Sequence, residues 1–339
     1  DFVMSYYDDK RSSLCDIFGT QDIEITSDWL RVGKMRYPVL DDVIVLLEKR
    51  YQPPRVRERL SNVASGGVTT DQTRDFSESV QFSFGRQWQS FAEIMPEHKV
   101  EFDDYFDLVD IRQLGLKRCA DLGCGIGRWS YFLAPHCREI VLLDFSEAIF
   151  VARERLRNQG NALFFMGDLS ALPFRHGFSD FIFSLGVLHH LEQDCLHLTR
   201  SLAPYGKEFL IYLYYALDNR PKIFRVFYKF MDSTRKLLCR VRNERLRQLI
   251  SHLLVVFAYW PFIALGRIAS LFGLGHHIPL YEFYHDKSFR RTRQDAYDRF
   301  FTSVEQRVSR ADIAQLRDTF SQIEISSRAP YWHFRAARN

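Results

Sequence analysis

The stretch Asp121-Leu-Gly-Cys-Gly-Ile-Gly127 sets three glycines at alternate positions directly after an aspartate. Alternate glycines let a backbone approach a ligand with no side chain in the way. The helical pattern that follows, Trp129–Leu133, offers unpaired N–H groups at its start. The apolar run Arg118–Leu122 ahead of it supplies the strand that such a loop requires. A dinucleotide loop would carry another glycine where Arg128 stands, and the charge of Asp121 would repel a pyrophosphate. The pattern points to a cationic ligand.

Further carboxylates follow at matching places. Asp144 ends the next apolar run, where a carboxylate can take both hydroxyls of a ribose. Asp168, in Gly167-Asp-Leu169, follows the third run, where an acceptor can read an adenine amino group. Singly, each such residue is more often a helix cap or turn residue. Three acids at three successive strand ends form a nucleoside-binding constellation. His189 and His190 come after the fourth run, placed to act as a base if the acceptor must lose a proton, or to cap and pack the next helix. Tyr214 and Tyr215 close the fifth run and point to opposite faces, one toward a pocket or both into the sheet.

The elements that must position these residues alternate along residues 117–215. Apolar runs at Arg118–Leu122, Ile140–Phe145, Leu163–Met166, Phe181–Leu185 and Phe209–Tyr215 are separated by amphipathic segments such as Ala148–Asn158 and Glu192–Leu202. That rhythm predicts βαβ units in an α/β, doubly wound, Rossmann-like parallel sheet. Ahead of it lie a small β-containing segment (1–50) and a polar linker with lid helices around Ser90–Ile94 and Phe102–Gln113 (51–116). Behind it come a helical insertion (216–300) and a C-terminal return (301–339) with a helix over Arg310–Phe320 and strands at Ile323–Ser326 and Trp332–Ala336.

Composition sets the outer bounds. The chain has 339 residues, 46% of them apolar, and 51 aromatics, which excludes a disordered, collagen-like or disulfide-stapled protein. Six cysteines include no C-x-x-C pair, so no zinc ribbon, dithiol or other metal site is read from them, and a reducing cytoplasmic setting is expected. No charged segment followed by an apolar one opens the chain, so no signal peptide is read there.

With these residues together, 117–215 resembles a class I S-adenosylmethionine-dependent methyltransferase. The resemblance is carried by the Asp121–Gly127 loop, Asp144, Gly167-Asp-Leu169, Ser184-Leu-Gly-Val-Leu-His-His-Leu191 and Leu202-Ala-Pro-Tyr-Gly206. Tyr205 departs from the usual Pro-Gly-Gly turn of the family. The resemblance implies a seven-stranded sheet and S-adenosylmethionine as cofactor. It sets Gly123, Gly125 and Gly127 against the methionine part and Asp121 near the amino group. It assigns Asp144 to the ribose, Phe145 beside the adenine, Asp168 and Leu169 at the adenine edge, and Leu185 near the methionine end.

The flanks carry further likenesses. Phe82-Ser-Phe-Gly-Arg-Gln-Trp-Gln-Ser-Phe91 resembles the lid segment of bacterial small-molecule methyltransferases, which makes Trp88 and Phe84 pocket-wall candidates beside the default of core packing. Trp29–Leu47, with Tyr37-Pro-Val-Leu-Asp-Asp42, resembles the zinc-ribbon module of tRNA and protein methyltransferases without its cysteine pairs. Residues 218–247 hold ten Lys/Arg against three acids, a local +7 inside a chain whose total is +4. The uncharged run Leu253–Leu265 that follows is too short to span a bilayer and is interrupted by Pro261.

The plain reading of that insertion is a pair of amphipathic helices with a solvated basic face. The sharper one is a substrate cap that touches an anionic membrane or takes a lipid-like or phosphate-bearing substrate. Basic charge also suits RNA, but no RNA-binding module accompanies it. Tyr281, Tyr284 and Arg290 are expected over the active site as groups able to hold a carboxylate or phosphate. Three functions follow: methyl transfer to an O, N or C atom of a small apolar, glycosyl or lipid-linked molecule; methylation of tRNA or protein gripped by the insertion; or a scaffold that binds the cofactor without turnover.

Overall fold

The computed structural model describes residues 6–61 and 93–338. Helix α1 (Arg11–Phe18) leads into a meander of four short strands: β1 (Ile23–Ile25), β2 (Trp29–Val32), β3 (Met35–Leu40) and β4 (Val43–Val45). Asp41 and Asp42 join the last two with φ of 49° and 60°. Two left-handed residues match the twist of a tight hairpin, and aspartate tolerates that conformation better than most residues. Helix α2 (Pro54–Ser61) and helix α3 (Pro96–Tyr105) follow. The helix expected over Phe102–Gln113 divides into the end of α3 and a separate 3-10 turn, Ile111–Leu114. The one expected around Ser90–Ile94 falls largely outside the described residues.

Strands β5 (Arg118–Leu122), β6 (Glu139–Asp144), β7 (Ala162–Met166), β8 (Ser179–Leu185) and β9 (Gly206–Tyr212) run parallel, and β10 (Gln322–Ile325) and β11 (His333–Ala337) return antiparallel at one edge. Every residue of β5, β6 and β7 is buried, as expected of strands covered on both faces. Helices α4 (Arg128–Leu133), α5 (Ala148–Leu156) and α6 (Cys195–Leu202) connect them. The sheet order is β1-β2-β3-β4-β7-β6-β5-β8-β9-β11-β10. The seven strands from β5 to β11 form the expected core. The full sheet has eleven, because β4 pairs in parallel with β7 and adds the N-terminal meander to that edge. The chain winds outward from β5 in both directions, so the cleft lies at the carboxyl ends of β5 and β8.

The insertion consists of α7 (Lys222–Leu238), α8 (Glu244–Leu254), a π-turn (Val255–Tyr259), α9 (Trp260–Ser270), α10 (Tyr281–Tyr284) and α11 (Phe289–Phe301). Here the sequence reading needs correction. Pro261 does not interrupt: Glu244–Ser270 is one continuous helical rod of 27 residues, long and apolar enough to cross a membrane by length and composition. Proline lacks the N–H for the regular ladder, and the wider π-turn just before it accommodates that loss. Tyr259, Tyr297 and Phe300 centre a separate apolar cluster within the insertion. The chain re-enters the sheet through α12 (Arg310–Ala314), whose start is fixed by a capping box between Ser309 and Asp312.

Candidate active site

The loop after β5 is held by its neighbour strand. The N–H groups of Gly123 and Cys124 both donate to the Leu143 carbonyl, at 2.7 and 3.0 Å. Gly123 has φ of 86°, and a Cβ there would lie 2.5 Å from Val187 Cγ1. Gly127 has φ of 70°, and a Cβ there would lie 2.9 Å from that of Ala152. Glycine is required at both positions by conformation and by space.

Asp144 ties this loop to the next. Its Oδ2 accepts from the Gly125 N–H at 2.8 Å, and its Oδ1 accepts from the Ser146 N–H and hydroxyl at 2.8 and 2.6 Å. Burial raises its pKa. Asp168 Oδ1 accepts from the N–H and hydroxyl of Ser170, at 2.8 and 2.7 Å. Its other oxygen, Oδ2, is buried with no partner. That bare acceptor lies in a cavity of about 40 Å³ whose walls include Asp144, Phe145, Asp168 and Leu169. Gly123, Asp144, Phe145 and Val187 also line a second cavity, of about 310 Å³, so the two adjoin.

The larger cavity passes the glycine loop and Leu185 and extends under the insertion. Tyr105, Trp129 and Tyr212 wall it near the sheet, with Tyr105 centred 5.2 Å from Trp129 and 5.0 Å from Tyr212. His190, Tyr214 and Tyr215 line it beyond β8 and β9; both tyrosines lie past the end of β9 at Tyr212. His190 Nδ1 lies 2.8 Å from the Val304 carbonyl. A carbonyl only accepts, so Nδ1 carries the proton and Nε2 is the basic nitrogen. Burial lowers the His190 pKa and keeps the ring neutral.

The far wall is charged. Arg291 grips Glu101 on α3 through two bonds of 2.8 and 3.0 Å and reaches Asp295 at 2.5 Å, while the Tyr284 hydroxyl donates to Asp295 at 2.8 Å. Arg235 donates to the carbonyls of Thr302 and Ser303 and pairs with Asp232. Arg307 donates to the Tyr215 carbonyl and pairs with Glu305. Arg299 lines the same cavity, but makes no side-chain hydrogen bond or ion pair among the described residues. Burial works against its charge, yet Tyr284, Tyr259, Tyr214 and Glu305 around it hold its pKa well above the ordinary value. Asp298 beside it is pushed up to about 7 by burial and by Asp295, and its Oδ1 has no partner.

Several sequence expectations need correction at this point. His189 is fully buried outside the cavity lining: its ring stacks 3.9 Å from that of Tyr214, its Nδ1 accepts from the Tyr214 N–H, and burial lowers its pKa well below the usual value. It packs the turn against Tyr214, away from the cavity lining. Asp121 lies beneath the loop and not on the cavity wall. It accepts from the Ser130 hydroxyl at 2.7 Å, and burial raises its pKa to about 8. Tyr281 fills the notch between Gly266 and Gly275 and faces away from the cavity. Arg290 pairs with Glu93 on the outside, while its neighbour Arg291 faces in: one helical residue is about 100° of rotation. Trp88 and Phe84 lie outside the described residues. Sequence reasoning missed Arg128, Asp295, Asp298 and Arg299. The last three share a face of α11 with Arg291, and that spacing was legible, but a charged helical stripe ordinarily faces water.

Comparison with known proteins bears on the core alone. Residues 119–206 match the family described as methyltransferase domain, which takes in the glycine loop, Asp144, Asp168 and His190. Similar solved structures include a Pyrococcus horikoshii protein (24% identity over 34% of this chain and 58% of that one, TM-score 0.31). Another is phosphoethanolamine N-methyltransferase 1 of Haemonchus contortus (20% identity, 40% and 33% of the two chains, TM-score 0.32). A third is magnesium protoporphyrin IX methyltransferase of Synechocystis (18% identity, 44% and 80%, TM-score 0.33). The chain thus spans 58% and 33% of the length of the first two. No curated protein sequence matches it.

The chain carries a methyltransferase domain over residues 119–206, and S-adenosylmethionine is the cofactor that its sequence resemblance implies. The residues present fit that molecule. Asp168 keeps a bare acceptor for an amino group, and Asp144 and Phe145 border both cavities. The zinc-ribbon likeness has no counterpart in the metal ligands: among the described residues no three His, Cys, Asp or Glu side chains converge.

Proposed function

We propose that this protein is a cytoplasmic methyltransferase whose acceptor is a small organic molecule bearing an anionic group. The observation that carries this reading is Arg299, a half-buried guanidinium with no hydrogen bond or ion pair among the described residues, on a cavity that continues from the cofactor loop. Glu305, Asp295 and Asp298 answer its charge from a distance without bonding to it; a carboxylate or phosphate on the acceptor would supply the direct bonds and orient the molecule.

S-adenosylmethionine, when bound, supplies an electrophilic methyl on a sulfonium centre. The chain then has to align a nucleophile, keep water out and receive a proton. The insertion and the Tyr105, Trp129 and Tyr212 side chains wall the cavity on two sides, which serves alignment and limits water around the reacting atoms. His190 is the proton acceptor we assign for a hydroxyl or protonated amine. Its Nε2 is basic, its ring is neutral, and Val304 fixes its orientation. A polymer gripped by basic charge fits less well, because Arg291 and Arg299 of α11 line the cavity beside the cofactor loop and not the exposed basic face of α7.

The test is transfer of a labelled methyl group from the cofactor into a fractionated extract. Label should appear in the small-molecule fraction and survive nuclease and protease treatment. Label in RNA or protein would overturn the assignment, and cofactor binding with no transfer would indicate a scaffold. Arg299→Met should lower kcat/KM for the acceptor by roughly a hundredfold, the loss of one charged hydrogen-bonded pair. Its cofactor affinity should stay unchanged.

A further inference from the structure

The outer surface of the insertion carries an observation that methyl transfer does not explain. Among the described residues, every exposed large apolar side chain except Val100, Leu116 and Tyr131 lies between Ile223 and Leu274. On α7 the exposed stripe is Ile223, Val226, Phe230 and Leu237, spaced along one helical face. On the rod Glu244–Ser270 it includes Leu249, Leu253, Phe257, Trp260 and Ile268, with Phe257 74% exposed. The two helices touch through Phe227 and Phe262, whose rings are centred 4.9 Å apart, so the stripes are neighbours. A patch of this extent marks an interaction surface.

The charges beside it name the partner. Lys222, Arg225, Lys229 and Lys236 stand one residue before or after members of the α7 stripe, all exposed, and Arg240, Arg242, Arg245 and Arg267 extend the series. From 222 to 274 the only acids are Asp232 and Glu244, and both are engaged: Asp232 by Arg235 and Lys236, Glu244 by the hydroxyl of Tyr297 at 2.7 Å. An apolar stripe flanked by cations without free carboxylates suits a bilayer whose headgroups are anionic. The apolar side chains enter the acyl boundary and the cations remain among the phosphates.

The rod does not act as a membrane span here. Its opposite stripe, Arg247, Ser251, Val255, Tyr259 and Ile263, is buried against the insertion. It is fastened at both ends: Glu244 to Tyr297, and Arg267 to the His285 carbonyl at 3.1 Å. A helix held along its length lies flat. We propose that the face formed by α7 and Glu244–Ser270 docks on an anionic lipid bilayer, with the rod parallel to the membrane plane. This goes beyond the proposed reaction and does not depend on it.

Vesicle co-sedimentation of the full chain tests this with phosphatidylcholine alone and phosphatidylcholine mixed with phosphatidylserine. Binding to the mixed vesicles should be at least tenfold tighter, should fall as salt rises, and should shift Trp emission to the blue. Phe257→Glu with Trp260→Glu should abolish binding. Lys222→Glu with Lys229→Glu should weaken it by roughly fivefold or more per cation changed. All four positions are exposed, and unchanged thermal unfolding would show that the fold survives. Absence of binding, or equal binding to both vesicle types, overturns the proposal. So does a dimer in solution that Phe257→Glu splits and vesicles do not recruit, since a second copy then covers the face. Resistance to a high-salt wash with release only by detergent would instead mean a spanning rod, and would overturn it too.

Discussion

In the sheet, β5, β6 and β7 bury every side chain they have, and all but four of those residues, Arg118, Asp121, Glu139 and Asp144, are apolar. In the insertion, α11 turns Arg291, Asp295, Asp298 and Arg299 toward an interior cavity, while α7 and the Glu244–Ser270 rod turn aliphatic and aromatic side chains outward. The same chain therefore builds one region by removing apolar surface from water and another in which polarity is partly inverted. The first needs only its own sequence for stability. The second has two kinds of unfinished surface, charged inside and apolar outside, and each calls for a partner of matching chemistry.

Substituting the same residue type in both regions would break the comparison most directly. Phe209, fully buried in β9 and centred 5.2 Å from Phe320, should cost about 3–5 kcal/mol as Phe209→Ala. A chemical-denaturation midpoint would read that loss. Next in size is Asp144→Ala, which removes the acceptor that holds Gly125 and borders both cavities. Calorimetry should show cofactor affinity falling by about a hundredfold, or about 3 kcal/mol. Unchanged affinity would separate Asp144 from the cofactor.

Asp298→Asn should have a smaller effect, confined to a pH window. The folded pKa of Asp298, about 7, lies above its ordinary value of 3.8. Its contribution to stability is therefore whole below about 3.8 and is lost as pH rises to about 7. The variant should lose less stability than the parent between those limits, as measured by Tm across the range. Parallel curves would show that Asp298 is not the group titrating there. The smallest effect belongs to Phe257→Ala, which should change stability by no more than about 0.5 kcal/mol. A loss like that of Phe209 would mean that Phe257 is covered in the free protein.

Legibility in the sequence follows the same division. The five parallel strands, the glycine loop, Asp144 and Asp168 could be read because strand period, turn glycines and strand-end carboxylates are local signals. The extra four strands could be seen as β-forming, but the pairing of β4 with β7 that joins them to the sheet links distant residues and has no local signature. His189 and His190 were indistinguishable until the turn fixed which ring faces Val304 and which stacks on Tyr214. The sequence does not separate Arg290 from Arg291, because phase on a helix follows from packing, which composition does not carry. Pro261 misled for a related reason: the π-turn that accommodates it is a property of the whole rod.

That π-turn has a geometric consequence. Residues 247, 251, 255, 259 and 263 recur at intervals of four, and in a regular α-helix each such interval drifts by about 40°. Left uncorrected, a stripe of this length would coil around the rod and carry the opposite stripe with it. The wider turn at Val255–Tyr259 advances the chain more slowly in angle and resets the phase midway. Both faces are thereby kept straight, and the rod works as a keel with one planar side for the protein and one for what lies beyond it.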